Sequence, residues 1–288
     1  MKRILITGTN SYIGTSFEKW VSQWPDQYQV DTVDMIGDSW REKPFSGYDT
    51  VFHVAGIAHV STDPKLKDLY FKVNRDLANE TAKKAKAEGV SQFVFMSSII
   101  VYGDSAPIGK KKIITRDTVP EPANFYGQSK LEAEQGILAL DDEHFRVVIL
   151  RPPMIYGKGC KGNYPKLAKI AKLFPVFPSI NNERSILYIG NLCEFIRLLI
   201  DRVERGTFFP QNVSYVKTSE LVQAIAKVHG RKIVCFKGLS WLLKIMCKTV
   251  SMVNKAFGSD CYAMEASEYP VNYRIFSFVE SIIRSEEQ

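Results

Sequence analysis

The sequence has no CxxC pair and no cysteine–histidine spacing suited to a metal, and its five cysteines (Cys160, Cys193, Cys235, Cys247, Cys261) are odd in number. Neither a disulfide framework nor a zinc site is expected, and no bound metal is implied. Long apolar runs are missing as well. No stretch approaches the ~18 uninterrupted apolar residues of a membrane-spanning helix. Near the start only Ile4-Leu5-Ile6 is apolar throughout, too short for the core of a signal peptide. A reducing cytoplasm is therefore the expected compartment, with no integral membrane segment. Internal repeats and low-complexity segments are also missing.

Charge is less exclusive. The 38 Lys and Arg exceed the 31 Asp and Glu, for a net charge of +7, which suits an anionic ligand and equally a nucleic-acid or membrane surface. The basic residues are dispersed, however, and only Lys110-Lys111-Lys112 forms a run. Such a run reads as a solvated loop, so no nucleic-acid partner is expected. The 288 residues, 45% hydrophobic and 24% charged, provide for a soluble globular protein with one large domain or a main domain and a smaller one.

The first half alternates β-branched runs with helical spacing. Strands are expected at Arg3–Thr7, Tyr28–Val33, Thr50–Val54, Gln92–Met96 and Arg146–Leu150, and helices at Tyr12–Gln23, Asp68–Glu88 and Tyr126–Leu138. This rhythm predicts an α/β fold, a Rossmann-type doubly wound parallel sheet with ligands at the carboxyl ends of its strands. After Gly157 the rhythm breaks into Gly-, Pro- and Asn-rich loops and single helices at Leu192–Val203, Ser219–Val228 and Leu239–Phe257. A smaller C-terminal cap is expected, with the chain returning to the main domain over Ile186–Val203. The resulting division is 1–157 plus 184–204 against 158–183 plus 205–288.

Thr7-Gly8-Thr9-Asn10-Ser11-Tyr12-Ile13-Gly14 joins the first strand to a helix. In such a turn, backbone N–H groups and the helix N-terminus meet a pyrophosphate. Gly8 would permit the turn and Gly14 the close helix–strand contact, although the middle position, usually Gly, is Ser11. Asp34 follows the second strand, 26 residues after Gly8. A carboxylate there accepts from an adenosine ribose and repels a 2′-phosphate, favouring NAD over NADP, and Met35 adds no compensating base. Asp31 competes for that role if the strand ends earlier.

Tyr126-Gly127-Gln128-Ser129-Lys130 places a phenol and an ammonium four residues apart on one helical face. The charge is expected to draw the phenol below its usual pKa, fitting it for proton transfer, with Ser98 at the end of the fourth strand bonding the same substrate oxygen.

The blocks TGTNSYIG, DTVFHVAGIAHV, YFKVNRDLANETAKKA, FVFMSSIIVYGD, FYGQSKLEAEQ, RPPMIYGKGCKGN and NERSILYIGNL, in this order, resemble the extended short-chain dehydrogenase/reductases. Within these, they are similar to the NAD-dependent epimerase/dehydratase group that includes the UDP-glucose 4-epimerases. The resemblance spans nearly the whole chain. It implies an NAD-binding main domain and a substrate-binding cap. Ser98, Tyr126 and Lys130 become a catalytic triad. Gly8, Asn10, Ser11, Tyr12, Ile13, Gly14, Asp34, Ala55, Gly56 and Asn74, with Tyr126 and Lys130, line the NAD site. It also implies a homodimer formed through two long helices, here Asp68–Glu88 and Tyr126–Leu138.

Two departures sharpen the reading. Relatives that eliminate water across sugar C5 and C6 carry an acid pair after the position of Ser98, and UDP-glucuronate decarboxylases use an acid at the second of those positions. Ile99 and Ile100 stand there instead, which leaves hydride transfer at C4. The family's usual Asn in its RPxN block is Met154. The RPPxxYG…KGN pattern resembles a subgroup of surface-polysaccharide synthesis acting on UDP-N-acetyl sugars, in which Asn163 and Arg184 would hold the substrate's diphosphate, while Ser98 bonds the reacting oxygen of the sugar. The leading expectation is a UDP-hexose or UDP-N-acetylhexosamine 4-epimerase with a UDP-linked substrate. The alternative is a 4-ketoreductase of a UDP-4-keto-6-deoxy sugar. A non-catalytic NAD-binding sensor is a third reading, and retention of Ser98, Tyr126 and Lys130 argues against it.

Three features stay peripheral. Asp38 is a guess for an adenine contact. His53 and His59, flanking the third-strand loop, read as structural, since the Tyr/Lys chemistry needs no histidine. Trp241–Phe257, apolar on one side with interspersed lysines, reads as a cap helix or as a stretch lying on a membrane surface.

Overall fold

The computed structural model describes residues 1–58, 63–107, 109–179, 181–236 and 258–287. His59 and Leu239–Phe257, which includes the Trp241–Phe257 stretch, lie outside the described residues. Elements are numbered along the chain.

Strands β1 (Lys2–Thr7), β3 (Thr50–His53), β4 (Gln92–Met96) and β6 (Arg146–Leu150) carry buried residues at consecutive positions. That pattern belongs to strands covered on both faces. With β2 (Tyr28–Val33) at one edge and β10 (Gly206–Phe208) at the other, they form a six-stranded sheet of order β10-β6-β4-β3-β1-β2, parallel throughout. The chain passes from β1 outward to β2 and then back to β3 on the other side of β1. A crevice therefore opens at the carboxyl ends of β1 and β3, the switch point of a doubly wound sheet.

Helices cover both faces, as expected. On one side α1 (Tyr12–Val21) sets Phe17 edge-on against Phe52, ring centroids 5.4 Å apart. Beside it, Trp20 Nε1 donates to Glu194 Oε2 of α6 (Ile189–Asp201) at 3.0 Å. On the other side, Ala78, Ala82 and Ala85 of α3 (Leu77–Ala87) and Ala133 and Ile137 of α4 (Phe125–Leu138) bury Leu5, Val51, Phe93, Phe95, Val147 and Ile149. The small side chains of α3 let that helix lie close to the sheet. The helix expected over Asp68–Glu88 is composite. A short α2 (Lys67–Tyr70) leads into a π-helical turn, Phe71–Asp76, and then α3.

The chain divides into two units. The sheet unit holds Met1–Gly103, Val119–Pro152 and Leu192–Pro210, and the second holds Asp104–Thr118, Pro153–Asn191 and Gln211–Gln288. Compared with the division drawn from sequence, 104–118, 153–157 and 184–191 lie in the second unit and 205–210 in the first. The reasons are strand pairings: Gly206–Phe208 joins β6, and β5 (Ile113–Ile114) pairs with β12 (Cys261–Tyr262). Within the second unit, β7 (Met154–Tyr156) pairs with β9 (Ile186–Tyr188), and β8 (Val176–Pro178) with β11 (Val234–Phe236). Helices α5 (Asn163–Leu173), α7 (Thr218–Val228) and α8 (Phe278–Glu286) complete it. Tyr156 anchors this unit. Its hydroxyl shares a hydrogen bond with Ser281 at 2.6 Å and accepts from Asn212 Nδ2 at 3.1 Å.

Among the described residues, no helix is long and apolar enough to cross a membrane, and no His/Cys/Asp/Glu group has the arrangement to hold a metal.

Candidate active site

The β1–α1 turn lies at the sheet's switch point. Gly8 has φ +113°, and a Cβ there would stand 3.1 Å from the Ala55 backbone. Only glycine suits both conditions. The loop after β3 is drawn to this turn, because Ala55 N and Val54 N both donate to Thr7 O, at 2.9 and 3.2 Å. Asn10 also takes a left-handed conformation, φ 58°, which asparagine tolerates better than most residues. Ser11, the departure from the glycine pattern, has ordinary β-region dihedrals and caps α1 by accepting from Gly14 N at 3.1 Å. The serine therefore replaces glycine's openness with a helix cap. Tyr12 and Ile13 follow at the first positions of α1, where backbone N–H groups have no intrahelical partner.

Asp34 lies just past β2, exposed, with one carboxylate oxygen accepting from Ile36 N at 3.0 Å. Its competitor Asp31 accepts from the Tyr48 phenol at 2.7 Å. Asp34 is thus the carboxylate presented at the strand's end. Asp38, the guessed adenine contact, bonds Arg41. Taken together, the left-handed Gly8, the capped start of α1 and the exposed Asp34 form a cradle that fits a dinucleotide.

Asn74, fully buried in the π turn, ties the groove to α4. Its carboxamide accepts from Ile57 N at 2.8 Å and donates to Ile57 O at 3.2 Å and to Ser129 Oγ at 3.1 Å. A side chain on Gly56 would press on Asn74 Oδ1 and Lys130 Nζ.

The Tyr/Lys face of α4 starts behind Asn124, whose Oδ1 accepts from Gly127 N at 3.0 Å. Gly127 allows close approach: a Cβ there would lie 2.8 Å from Ile100 O. That contact brings the 3-10 turn Ile99–Tyr102, capped by Ser98, against α4, where the Ser98 side chain acts on the Tyr126 phenol. Tyr70 packs edge-on against Tyr126 at 5.9 Å. Lys130, 6% exposed, donates to Met96 O at 2.9 Å and lies 4.7 Å from the centre of the Phe95 ring. Ser98, Tyr126, Lys130, Ala55, Gly56 and Asn74 are all elements of this unit.

One expectation needs correction. The phenol is not drawn down by Lys130. Burial pushes it up to about 12, with the Ser98 side chain opposing. Burial likewise pulls the Lys130 ammonium down to about 8, with the Glu134 charge opposing. Spacing placed the two groups on one face, but desolvation governs both, since a charge on either must leave water.

Sequence reasoning read His53 as structural and missed two further neighbours, Glu134 and Arg151. Fully buried His53 has Nδ1 2.7 Å from Thr7 Oγ1 and stacks on Phe93 and Phe95. Burial first, and Lys130 second, pull its pKa to about 3. Glu134 and Arg151 form a buried ion pair behind Lys130. The recurrence of Glu134 four residues after Lys130 was the available signal.

In the second unit, Asn163 opens α5 and Arg184 bridges to Val216 through both backbone groups. The two line one recess with Met154, Leu167, Ile186 and Thr218. Burial lowers the pKa of Arg184, and Asp260 opposes the shift.

The doubly wound parallel sheet, the glycine turn after its first strand and the Ser98/Tyr126/Lys130 face define an extended short-chain dehydrogenase/reductase. Residues 4–209 match the NAD dependent epimerase/dehydratase family, and the chain belongs to it. It is an NAD-dependent enzyme of that family. It is 30% identical over 280 residues to a UDP-glucose 4-epimerase of Vibrio cholerae, covering 89% of this chain and 83% of that protein. It is 27% identical to the N-acetyl-alpha-D-glucosaminyl-diphospho-ditrans,octacis-undecaprenol 4-epimerase of Escherichia coli O157:H7, covering 70% and 64%. Among solved structures, a UDP-glucuronic acid 4-epimerase from Bacillus cereus in complex with NAD shares the fold with a TM-score of 0.75 at 15% identity, covering 98% of this chain and 95% of that one. A dTDP-4-dehydrorhamnose reductase from Clostridium acetobutylicum does so with a TM-score of 0.75 at 18% identity, covering 98% of each.

Proposed function

We propose that the chain is a 4-epimerase of a UDP-hexose or UDP-N-acetylhexosamine, working by reversible hydride transfer at C4. The observation that carries this is Ser98, which acts on the Tyr126 phenol and stands directly before two isoleucines, Ile99 and Ile100. A proton-transfer pair is present, while the acids that sugar dehydration or decarboxylation would use are replaced by groups that exchange no proton. The 4-epimerase names of both relatives support the same reading.

Gly8, Asn10, Ser11, Tyr12, Ile13 and Gly14 would hold the cofactor's pyrophosphate, Asp34 its adenosine ribose, and Ala55, Gly56 and Asn74 the groove wall. When bound, NAD supplies hydride transfer and a positive ring charge favouring phenolate. Tyr126 removes the proton of the sugar 4-hydroxyl and returns it, while Ser98 bonds the same oxygen. Lys130 adds its positive charge on the same helical face. Tyr70, packed on the phenol, keeps water from it. Asn163 and Arg184 would bind the substrate's diphosphate, Arg184 through its planar fork of donors.

Two extensions belong to the same reading. The protein works in the cytoplasm, and two copies pair through Asp68–Glu88 and Tyr126–Leu138, which sedimentation of purified protein tests. The central experiment mixes the isolated protein with UDP-GlcNAc or UDP-GalNAc without added reductant. Interconversion of a UDP-hexose pair is expected, and failure with every such pair sinks the epimerase reading.

A further inference from the structure

Glu134 is a buried acid that the proton-transfer chemistry leaves unused. It lies on the buried face of α4 with Tyr126 and Lys130, four residues beyond the lysine, and is 1% exposed. Its carboxylate is clamped from the ends of two strands. Past β6, Arg151 Nε lies 3.1 Å from both oxygens and Nη2 2.5 Å from one. Past β4, the Ser97 hydroxyl donates to Oε1. Arg151 also donates to the Tyr102 phenol at 2.6 Å. A buried ion pair adds little stability over well-packed apolar side chains of the same volume. The neighbouring buried ammonium supplies a better reason for an acid here.

We propose that Glu134 is a positioning residue of the active site, whose carboxylate, fixed by Arg151 and Ser97, keeps the Lys130 ammonium charged and seated at the Met96 carbonyl. This inference rests on the Tyr126–Lys130 chemistry proposed above. Residues four apart on a helix face each other, so the clamped carboxylate stands beside the lysine stem. Other elements bring different groups to Lys130. His53 on β3 is neutral near pH 7, because burial and the lysine's own charge hold its pKa at about 3. From β4 come the Phe95 ring and the Met96 carbonyl. Arg151 beyond β6 is matched to Glu134 itself, and Tyr102 is bonded to Arg151. Burial pulls Lys130 down to about 8 with the Glu134 charge opposing. Without that charge, burial acts unopposed and the ammonium is lost at lower pH.

The test follows Lys130 itself in the NAD-loaded protein. Lysines carry a 13C label at Cε, and the Lys130 signal is assigned by its disappearance in Lys130→Arg. In Glu134→Gln the midpoint of Lys130 titration is expected to fall by about one pH unit or more, equivalent to about tenfold in the protonation equilibrium. The alkaline limb of kcat should move with it, while KM changes little. An unmoved midpoint, with any rate loss uniform across pH, overturns the proposal and leaves Glu134 as a fold-holding residue. If Glu134→Gln does not fold, the double variant Glu134→Gln/Arg151→Gln keeps the question open, because it leaves no unpaired Arg151 guanidinium. It should show a downward shift as well, smaller because the repelling Arg151 charge is removed too, and a wild-type midpoint there overturns the proposal. Lack of turnover on any nucleotide sugar by the wild type would count against the proposed function alone, since the titration needs no turnover.

Discussion

The Ser98 side chain acts on the Tyr126 phenol, opposing the rise in its pKa, and each residue stands at the start of a helical turn. Asn124 caps the helix that carries the tyrosine, and Ser98 itself caps the 3-10 turn. The pair is therefore set by two helix starts held together at Gly127 and Ile100. A sugar hydroxyl entering between them meets a formed site, with little ordering left to do.

Replacing Tyr126 by Phe keeps the ring packed on Tyr70 and removes only the exchangeable proton. Loss of general acid–base catalysis should lower kcat by about 10²- to 10⁴-fold, with the far-UV circular dichroism and melting curve unchanged in form. Full activity in this variant would refute the proton-transfer role.

The pH dependence follows from Lys130. Its folded pKa, about 8, lies below the ordinary 10.5, so the positive charge assigned to the proposed site is lost as pH rises through about 8. In the NAD-loaded enzyme kcat should decline over that range, and Lys130→Met should be slow at every pH. The stability effect has the opposite sign. Between about 8 and 10.5 the unfolded chain binds more protons at this group than the folded one, so its contribution to stability grows with pH. Denaturant titrations on both sides of that window measure it.

His53 gives an acid-side prediction. Its folded pKa of about 3 lies below 6.5, so in that interval the unfolded state takes the proton and the folded state does not. Stability from this group is complete above about 6.5 and falls as pH drops towards 3, by about 4–5 kcal/mol in total. Urea midpoints at neutral and mildly acidic pH should differ more for the wild type than for His53→Asn. Equal differences would show that His53 does not govern the acid response.

Asp34→Ala removes the carboxylate at the end of β2. Loss of hydrogen bonds to a charged group costs about 1.5–3 kcal/mol. NAD binding should weaken by about ten- to a hundredfold, and discrimination against NADP should shrink, both read by calorimetric titration. Unchanged affinity for both cofactors rules Asp34 out as the ribose contact.

Much of the sheet was legible because its inner strands are runs of β-branched and aromatic residues buried on both faces. Tyr28–Val33, Gln92–Met96 and Arg146–Leu150 are found where the pattern predicts them. The strand Gly206–Phe208 was not, since three residues carry no periodicity and only their partner β6 makes them a strand. The same holds for Ile113–Ile114, which depends on Cys261–Tyr262 far along the chain. In the site, the helical face shared by Tyr126 and Lys130 followed from spacing alone. Their shifted acidities did not, because burial is a property of the packed tertiary structure. Ser11 looked like a defect in a glycine motif until its hydroxyl was found on the backbone of Gly14.

The π turn at Phe71–Asp76 carries one residue more per set of hydrogen bonds than an α-helix would. It fixes a rotational phase between the chain before it and α3 after it. Deleting one residue there would let the turn relax to α geometry and remove the widened turn in which Asn74 sits. Asn74 would then swing off the Ile57 backbone and the Ser129 hydroxyl that it joins. Single-residue length changes in this stretch should thus be far more damaging than substitutions on its exposed side.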